Sequence, residues 1–256
     1  MSGYNDFALF YDALTVNIPY KQMAEYIDRA VMKYQGRRGI LLDVACGTGS
    51  MCMEMSGLGY DVIGTDVSEG MLSSALERKY DSGLDIQYLC QDMRELDMFG
   101  TIDVTVCTLD SLDHLDSFDD VKRVFERVAL FCEKDGLFIF DMNTPYKHRD
   151  VLGNNTFVYD LDDIYCVWQN SFCEEDCKVD IAIDIFERDG DTYTRYSDEV
   201  TERAYPDDMI DSALSSAGFE LLEKTDGYTE AEPYDRSERI VRVCRIKNVK
   251  NSVYKG

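Results

Sequence analysis

The chain has 256 residues, 45% of them hydrophobic, and a formal net charge of −24. This length fits one large α/β domain or one domain with an insertion. The negative charge is spread along the chain, and it argues against binding to nucleic acid or to an anionic membrane surface, because both need a basic face. A cationic or neutral small molecule suits this charge better, although the charge can also serve only to keep the protein in solution.

Nine cysteines stand at irregular spacings, most of them inside apolar runs. This usage predicts reduced, buried thiols in a cytoplasmic protein. The one close pair, Cys173 and Cys177, lacks the further ligands of a metal site and is more typical of a turn between two strands, so no metal site is predicted. The first residues show no signal pattern, and no apolar run is long enough to span a membrane.

Apolar residues at helical spacing predict two short helices between about Asp6 and Tyr34, separated at Pro19. From Ile40 onward, strand-like runs alternate with helix-like stretches. The predicted strands are Ile40–Ala45, Asp61–Thr65, Ile86–Cys90, Val104–Thr108 and Leu137–Met142. The predicted helices are Gly49–Ser56, Glu69–Lys79 and Ser117–Glu133, with Met93–Phe99 as a weaker candidate. This alternation predicts a parallel sheet covered on both faces.

After Pro145 the chain becomes rich in β-branched and aromatic residues, which favours strands. The predicted strands are Asn154–Tyr159, Ile164–Phe172, Lys178–Arg188 and Thr192–Val200. A helix over Pro206–Ala217 and two strands, Phe219–Thr225 and Arg239–Ile246, follow. The pattern predicts an α/β domain made of residues 1–146 and 204–256, with an antiparallel insertion at residues 147–203.

A glycine turn joins the first strand of the alternating region to its helix, where a ligand can approach the backbone. A phosphate loop is excluded because Ser50 and Met51 follow Gly49 in place of Lys and Ser or Thr. The dinucleotide fingerprint is weakened because Cys52 stands at its third glycine position. S-adenosylmethionine is the third candidate, since its cationic methionine end and its ribose diol need carboxylates and backbone groups.

Acidic residues stand at the end of three successive predicted strands. Asp43 lies in the first strand, Asp66 ends the second and Asp92 follows the third. Side chains at the carboxyl ends of parallel strands meet in the crevice where such sheets bind ligands. Each acid could instead cap the following helix, but three in register with a glycine loop favour a ligand site.

Four stretches resemble the motifs of class I S-adenosylmethionine-dependent methyltransferases. LLDVACGTG (residues 41–49) resembles the first motif, VIGTDVSEGML (62–72) the ribose segment and CQDMREL (90–96) the adenine segment. CTLDSLDHL (107–115) resembles the fourth-strand motif that faces the transferred methyl group. FALFYDAL (7–14) and IPY (18–20) resemble the N-terminal cover of a bacterial small-molecule branch, which is related to sugar and aminosugar methyltransferases and carries an antiparallel insert.

The resemblance implies a Rossmann-like, doubly wound seven-stranded α/β sheet with a small antiparallel β insertion and an N-terminal helical cover. It implies S-adenosyl-L-methionine as the cofactor and S-adenosyl-L-homocysteine as the product. In relatives an N-terminal tyrosine contacts the methionine end. The implied cofactor contacts are Tyr11, Tyr20, Asp43, Ala45, Cys46, Gly47, Gly49, Asp66, Val67, Met71, Asp92, Met93 and Leu109.

His114 and Asp110, in the segment after the fourth strand, are the candidate catalytic residues. His114 could take a proton, bind the substrate or only cap a helix. Asp110 and its neighbour Asp113 could stabilise a cation or cap the next helix. The candidate substrate residues are His114, His148, Trp168, Arg203 and Tyr205.

One position departs from the pattern of relatives, which often carry a histidine before the RAY segment; Val200 stands there in this chain.

The function predicted is methyl transfer to an oxygen or nitrogen atom of a small sugar-like or amine-bearing molecule. A non-catalytic S-adenosylmethionine-binding partner or sensor protein is the alternative. An NAD-dependent oxidoreductase is a weaker one, since Cys52 and Asp43 both argue against it. The acceptor and the oligomeric state cannot be read from the sequence.

Overall fold

The computed structural model describes residues 7–247, which form two β-sheets with helices around them. The strands in this range are β1 Ile40–Val44, β2 Asp61–Asp66, β3 Ile86–Cys90, β4 Ile102–Cys107, β5 Cys132–Asn143, β6 Thr156–Asp160, β7 Ile164–Cys173, β8 Lys178–Asp189, β9 Thr192–Arg203, β10 Phe219–Asp226 and β11 Arg239–Ile246. The α-helices are α1 Phe7–Leu14, α2 Tyr20–Tyr34, α3 Ser50–Gly57, α4 Glu69–Ser82, α5 Phe118–Phe131 and α6 Asp207–Ala217.

The larger sheet has seven strands in the order β10-β11-β5-β4-β1-β2-β3. Its strands β1 to β5 are parallel, and β11 runs antiparallel to both β5 and β10. The predicted fold class, a doubly wound seven-stranded sheet with an antiparallel insertion and a helical cover, is confirmed. Because β1 lies between β2 and β4, the segments that follow these three strands meet at one edge of the sheet.

The smaller sheet is antiparallel, in the order β6-β7-β8-β9, and all four strands fall between residues 147 and 203. Alternate residues of β8, among them Ile181 and Ile183, pack against Phe7 and Phe10 of α1. Helix α1 therefore covers one face of the insertion, and β9 remains an edge strand.

Several predicted boundaries shift by one to three residues, and two predictions differ more. The weak helix predicted over Met93–Phe99 is only a short 3-10 helix, Met93–Glu95. The reason is local: the side chain of Gln91 accepts a hydrogen bond from the amide of Asp97 and donates one to its carbonyl, which holds the rest as a loop. Strand β5 begins at Cys132, before the predicted Leu137, because Cys132 already pairs with Ile102 of β4.

The core on one side of the large sheet is aromatic. The ring of Phe138 is stacked on that of Phe140, with centroids 4.6 Å apart, and lies 5.6 Å from Phe219 and 5.9 Å from Phe125. Phe125, Phe138 and Phe140 are completely buried. Large apolar side chains packed in this way supply most of the stabilisation of such a sheet. Within residues 7–247, no helix is both long and apolar enough to cross a membrane.

We expect Phe138→Ala to lower the free energy of unfolding by about 3 to 5 kcal/mol, since it removes buried contacts and leaves a cavity. The matched control is Phe99→Ala, because Phe99 is fully exposed and its loss should cost less than about 0.5 kcal/mol. Urea unfolding followed by circular dichroism measures both. Equal effects of the two substitutions would contradict this description of the core.

Candidate active site

A cavity of about 820 Å³ opens where β1, β2 and β4 end, and α1 and β9 complete its wall. Its volume lies in the upper part of the range of small-molecule sites. Eleven of the thirteen predicted cofactor residues line it: Tyr11, Tyr20, Asp43, Ala45, Cys46, Gly47, Asp66, Val67, Met71, Met93 and Leu109.

The loop between β1 and α3 has three residues in the left-handed region, Ala45 (φ 57°), Gly47 (φ 55°) and Gly49 (φ 79°). A Cβ on Gly49 would collide with the hydroxyl of Tyr88. Gly49 therefore packs closely against Tyr88, and it does not line the cavity. A Cβ on Gly47, by contrast, would meet no protein atom within 4 Å, so the chain leaves open space beside this cavity residue, where a ligand can approach the backbone.

Asp66 joins the ends of β1 and β2. One carboxylate oxygen accepts a hydrogen bond from the amide of Gly47 and the other from that of Ser68, both at 2.8 Å. Burial raises the pKa of Asp66, against the lowering effect of these backbone hydrogen bonds. Each oxygen has a further lone pair, so a carboxylate placed in this wall can also accept hydrogen bonds from a diol.

Asp43 is almost completely buried in β1, yet its side chain reaches the cavity wall. The thiol of Cys52 donates a hydrogen bond to it at 3.1 Å. Burial raises the pKa of Asp43 to about 7, because a charged carboxylate is poorly solvated there. A cation bound in the cavity would favour its ionised form.

Asp92 does not line the cavity, whereas Gln91 and Met93 on either side of it do. Its carboxylate accepts hydrogen bonds from the backbone amide of Arg94 at 2.8 Å and from the guanidinium at 2.6 Å. Asp92 thus caps the short helix that follows it, which is the alternative that the sequence left open for each acid.

The loop after β4 is strained, since Leu109 (φ 58°) and Asp110 (φ 55°) are consecutive left-handed residues without being glycines. Both of their amides donate to the buried carboxylate of Asp141, at 2.8 Å each. Tyr228 and Arg239 also bind this carboxylate. Such strain persists only where the surroundings enforce it, and Asp141 does so by holding Leu109 in the cavity wall.

Asp110 and Asp113 do not line the cavity, whereas His114 does. Asp110 pairs with Arg239 at 3.1 Å and accepts a hydrogen bond from Asn143 at 2.7 Å. Burial would raise the pKa of Asp110, but the positive charges of Arg239 and Lys147 lower that pKa well below its usual range. Asp113 is completely buried, accepts from the amide of Asn143, and has its pKa raised strongly by burial.

His148 and Trp168 lie outside the cavity wall. His148 is completely buried, with Nδ1 3.1 Å from the carbonyl of Cys177 and Nε2 3.6 Å from Glu202. The ring of Trp168 packs against Phe7, 6.1 Å between centroids. Trp168 thus joins the insertion to α1, whereas the contacts of the His148 side chain lie within the insertion.

Arg203 and Tyr205 are also not part of the wall. The ring of Tyr205 packs against Phe118, at the start of α5, with centroids 4.8 Å apart. The structure therefore brings only His114 of the five predicted substrate residues to the cavity.

Sequence reasoning missed part of the wall, including Asp116 after His114 and the β9 residues Glu199 and Thr201. Val200, the departure from the pattern of relatives, lies between these last two and also lines the cavity. The valine at position 200, where relatives often carry a histidine, was the one feature of the sequence that pointed to this part of the wall.

The described part of the cavity wall contains no lysine or arginine. Its charged residues are Asp43, Asp66, Glu69, Asp116 and Glu199. This donor set fits a ligand with a sulfonium, an ammonium and a ribose diol, and it offers no basic group for a pyrophosphate. The residues present therefore fit S-adenosylmethionine and fit a dinucleotide poorly.

Comparisons with known proteins agree with this geometry. A family model described as a methyltransferase domain matches residues 41–136. The putative methyltransferase YqeM of Bacillus subtilis (strain 168) is 33% identical over 238 residues, which cover 93% of this chain and 94% of that protein.

Two solved structures show the same architecture. A S-adenosylmethionine-dependent methyltransferase from Clostridium acetobutylicum ATCC 824 matches with a TM-score of 0.87 and 32% identity, covering 96% of this chain and 99% of the other. The sugar N-methyltransferase KedS8 from Streptoalloteichus sp ATCC 53650 shares the fold with a TM-score of 0.77 and 21% identity, covering 96% and 95% of the two chains.

The two loop glycines should respond differently to alanine. We expect Gly49→Ala to destabilise the fold, because its Cβ meets Tyr88. Gly47→Ala should cost only about 1 to 2 kcal/mol of left-handed strain, yet weaken S-adenosylhomocysteine binding more than tenfold, since its methyl group occupies ligand space. Thermal unfolding measures the loss of stability, and calorimetric titration measures the loss of affinity. If both variants lost affinity in proportion to their lost stability, Gly47 would not be a ligand contact.

Asp43 should make stability depend on pH. Its folded pKa is about 7 and an unfolded aspartate titrates near 3.9, so the folded chain keeps a proton that the unfolded chain has released between these values. Relative to Asp43→Asn, the free energy of unfolding should fall as pH rises through this window, by up to about 1.4 kcal/mol per pH unit. Chemical denaturation of both proteins from pH 4 to pH 8 measures this change. A difference in the free energy of unfolding that stays constant with pH would contradict a raised pKa for Asp43.

Proposed function

We propose that this chain, which belongs to the S-adenosylmethionine-dependent methyltransferases, moves the methyl group to an oxygen or nitrogen atom of a small molecule, sugar-like or amine-bearing. One observation carries the proposal. The imidazole of His114 and three consecutive residues of β9 line the same cavity as Gly47 and Asp66, so a wall suited to a second molecule adjoins the cofactor wall.

The residues that would hold the cofactor are those of the strand ends. Gly47 allows close approach to the backbone, Asp66 can accept from the ribose hydroxyls, and Asp43 adds negative charge. Tyr11 and Tyr20 close this part of the wall, and aromatic faces attract a sulfonium or ammonium. When bound, S-adenosylmethionine would supply an electrophilic methyl group with S-adenosylhomocysteine as its leaving group.

The remaining task of the chain is to position the acceptor and receive its proton. His114 is the one imidazole in the described wall, and an imidazole can accept a proton from a hydroxyl or an ammonium. The loop that carries it is fixed through Leu109 and Asp110 by Asp141. In this arrangement Asp110 acts as a positioning residue, since its carboxylate is held by Arg239.

The cover over the cavity supports a small acceptor. Helix α1 is tied to the glycine loop, where Thr48 donates to Asp12 at 2.8 Å, and to the insertion, where the amide of Phe7 donates to Asp198 at 2.9 Å. A helix fastened at both walls encloses the reacting centre and helps to exclude water. The fold shared with KedS8, a sugar N-methyltransferase, is consistent with a small acceptor.

The proposal is tested by methyl transfer from isotope-labelled S-adenosylmethionine to a panel of sugars, amines and phenols. We expect at least one class to be methylated. His114→Gln should lower kcat by about 10²- to 10⁴-fold and leave S-adenosylhomocysteine binding unchanged. The loss should shrink at high pH, where the acceptor loses its proton without help.

Two outcomes would contradict this account. Full activity in His114→Gln at every pH would remove the proton-accepting role. Binding of S-adenosylhomocysteine without transfer to any acceptor of the panel would favour a non-catalytic cofactor-binding protein instead.

A further inference from the structure

Asn143, the last residue of β5, joins three parts of the chain outside the cavity wall. Its backbone amide donates a hydrogen bond to Asp113 at 2.8 Å, and its side-chain nitrogen donates to Asp110 at 2.7 Å and to Glu202 at 3.1 Å. Its side-chain oxygen accepts a hydrogen bond from the ammonium of Lys147 at 2.9 Å. Asn143 is almost completely buried, so bulk water does not compete for these hydrogen bonds.

These partners fix the orientation of the Asn143 amide. An asparagine side chain has two N–H donors and one carbonyl oxygen. Here the nitrogen faces two carboxylates and the oxygen faces an ammonium, so a rotated amide would set its oxygen against Asp110 and Glu202. Aspartate at this position could not donate and would add a negative charge. The position therefore requires an amide, which holds carboxylates of two different elements on one atom.

Two of the residues that Asn143 holds belong to the turn that carries His114. The short 3-10 helix Ser111–His114 is preceded by Asp110 and contains Asp113. Burial raises the pKa of Asp110, whereas nearby positive charges, among them that of His114, lower it. The carboxylate that Asn143 holds therefore lies close enough to His114 to interact with its charge.

The third residue, Glu202, belongs to the insertion. It stands on β9 two residues after Val200, so both side chains lie on the same face of the small sheet. Their partners in register on β8, Val179 and Ile181, are buried in the cluster that includes α1. Strand β9 also lies against the short helix that carries His114. Glu202 thus connects a strand of the cavity wall to the turn on which the imidazole stands.

The carboxylate of Glu202 serves this joint and not the cavity. Glu202 is buried and does not line the cavity wall. Its carboxylate lies between the amide of Asn143, 3.1 Å away, and Nε2 of His148, 3.6 Å away. A buried carboxylate depends on such partners, because water does not solvate it. A displacement of β9 is therefore passed on to Asn143.

We propose that Asn143 and Glu202 are positioning residues for methyl transfer, which fix the imidazole of His114 relative to the wall that β9 supplies. The inference rests on the proposed function and deepens it. Neither residue touches the reacting atoms, and both act on His114 through Asp110 and Asp113. Alignment matters here because a misplacement of about 1 Å can lower the rate of such a transfer about a hundredfold.

The test uses variants at Glu202. Glu202→Ala removes the acceptor of the Asn143 hydrogen bond, whereas Glu202→Gln keeps an oxygen there. The matched control is Glu187→Ala, because Glu187 is a carboxylate of the same small sheet that accepts a hydrogen bond from Tyr196 and lies outside the cavity wall. A second test variant, Lys147→Met, removes the donor to the Asn143 oxygen from a half-buried position, and it replaces Glu202→Ala if that protein does not fold.

Two readouts are combined. The first is the kcat of methyl transfer to the acceptor found in the panel, beside calorimetric titration with S-adenosylhomocysteine. The second is nitrogen-15 magnetic resonance of the histidine rings, which needs no acceptor. The chain has two histidines, so the ring signals of His114 are identified by their absence in His114→Gln.

We expect Glu202→Ala to lower kcat about ten- to a hundredfold with S-adenosylhomocysteine affinity unchanged, and Glu202→Gln to restore most of the loss. In the His114→Gln background, Glu202→Ala should lower kcat less than about twofold, since the group that it positions is already gone. The ring signals of His114 should shift in Glu202→Ala and in Lys147→Met, and stay in place in Glu187→Ala.

An equal loss of kcat in the two backgrounds, or unshifted His114 signals in both test variants, would overturn this inference while leaving the proposed methyl transfer intact. Absence of transfer by the wild-type chain to every acceptor of the panel would overturn the proposed function and, with it, a role in catalysis. The ring signals decide separately whether Glu202 fixes His114, so the two failures are distinguishable.

Discussion

Buried carboxylates hold the ends of the central strands in backbone conformations that the chain would otherwise avoid. Asp66 accepts from the amide of Gly47, and Asp141 accepts from both amides of the left-handed pair Leu109 and Asp110. Two consecutive left-handed residues that are not glycine cost of order 1–3 kcal/mol each. These two anchors set where the loops after β1 and β4 leave the sheet, and so they fix the cavity residues that those loops carry.

The carboxylates of the wall, Asp43 and Asp66 among them, explain why the cavity suits its cofactor. Negative groups gathered in a partly dry wall repel one another, and burial already keeps the pKa of Asp43 near 7. A cationic ligand relieves this repulsion and stabilises the ionised carboxylates of the wall. Its attraction to those carboxylates contributes to its affinity. Helix α1 then encloses the ligand through Asp12 and Phe7, which connects cofactor binding to the insertion.

Much of the fold and the cofactor wall could be predicted because the signals are local. The glycine loop and Asp66 sit at the ends of parallel strands, and parallel pairing brings such ends together whatever the rest of the chain does. Asp92 shows where this reasoning fails, since Arg94, only two residues later, takes its carboxylate away from the cavity. The spacing of acids along the chain cannot show that a nearby arginine competes with a ligand for one of them.

The part of the cavity wall that the insertion supplies could not be predicted because it depends on non-local packing. Which residues of the insertion face inward is decided by the contact of α1 with β8, and Trp168 is used in that contact. His148 is buried beside Glu202, which is 54 residues later in the sequence, so its surroundings also depend on non-local packing. Residues 199–201 line the cavity along the free edge of β9, and that edge is known only when the strand order is known.

The central claim, that carboxylate-anchored strand ends form a site for S-adenosylmethionine, is tested most directly by titrating the wild-type chain with S-adenosylhomocysteine and with NAD. Asp66→Asn is the test variant, and Asp61→Asn, at the exposed start of the same strand, is its control. The account predicts binding of S-adenosylhomocysteine alone, weakened at least about tenfold in Asp66→Asn and unchanged in Asp61→Asn. Binding of NAD, or equal affinity in all three proteins, would contradict it.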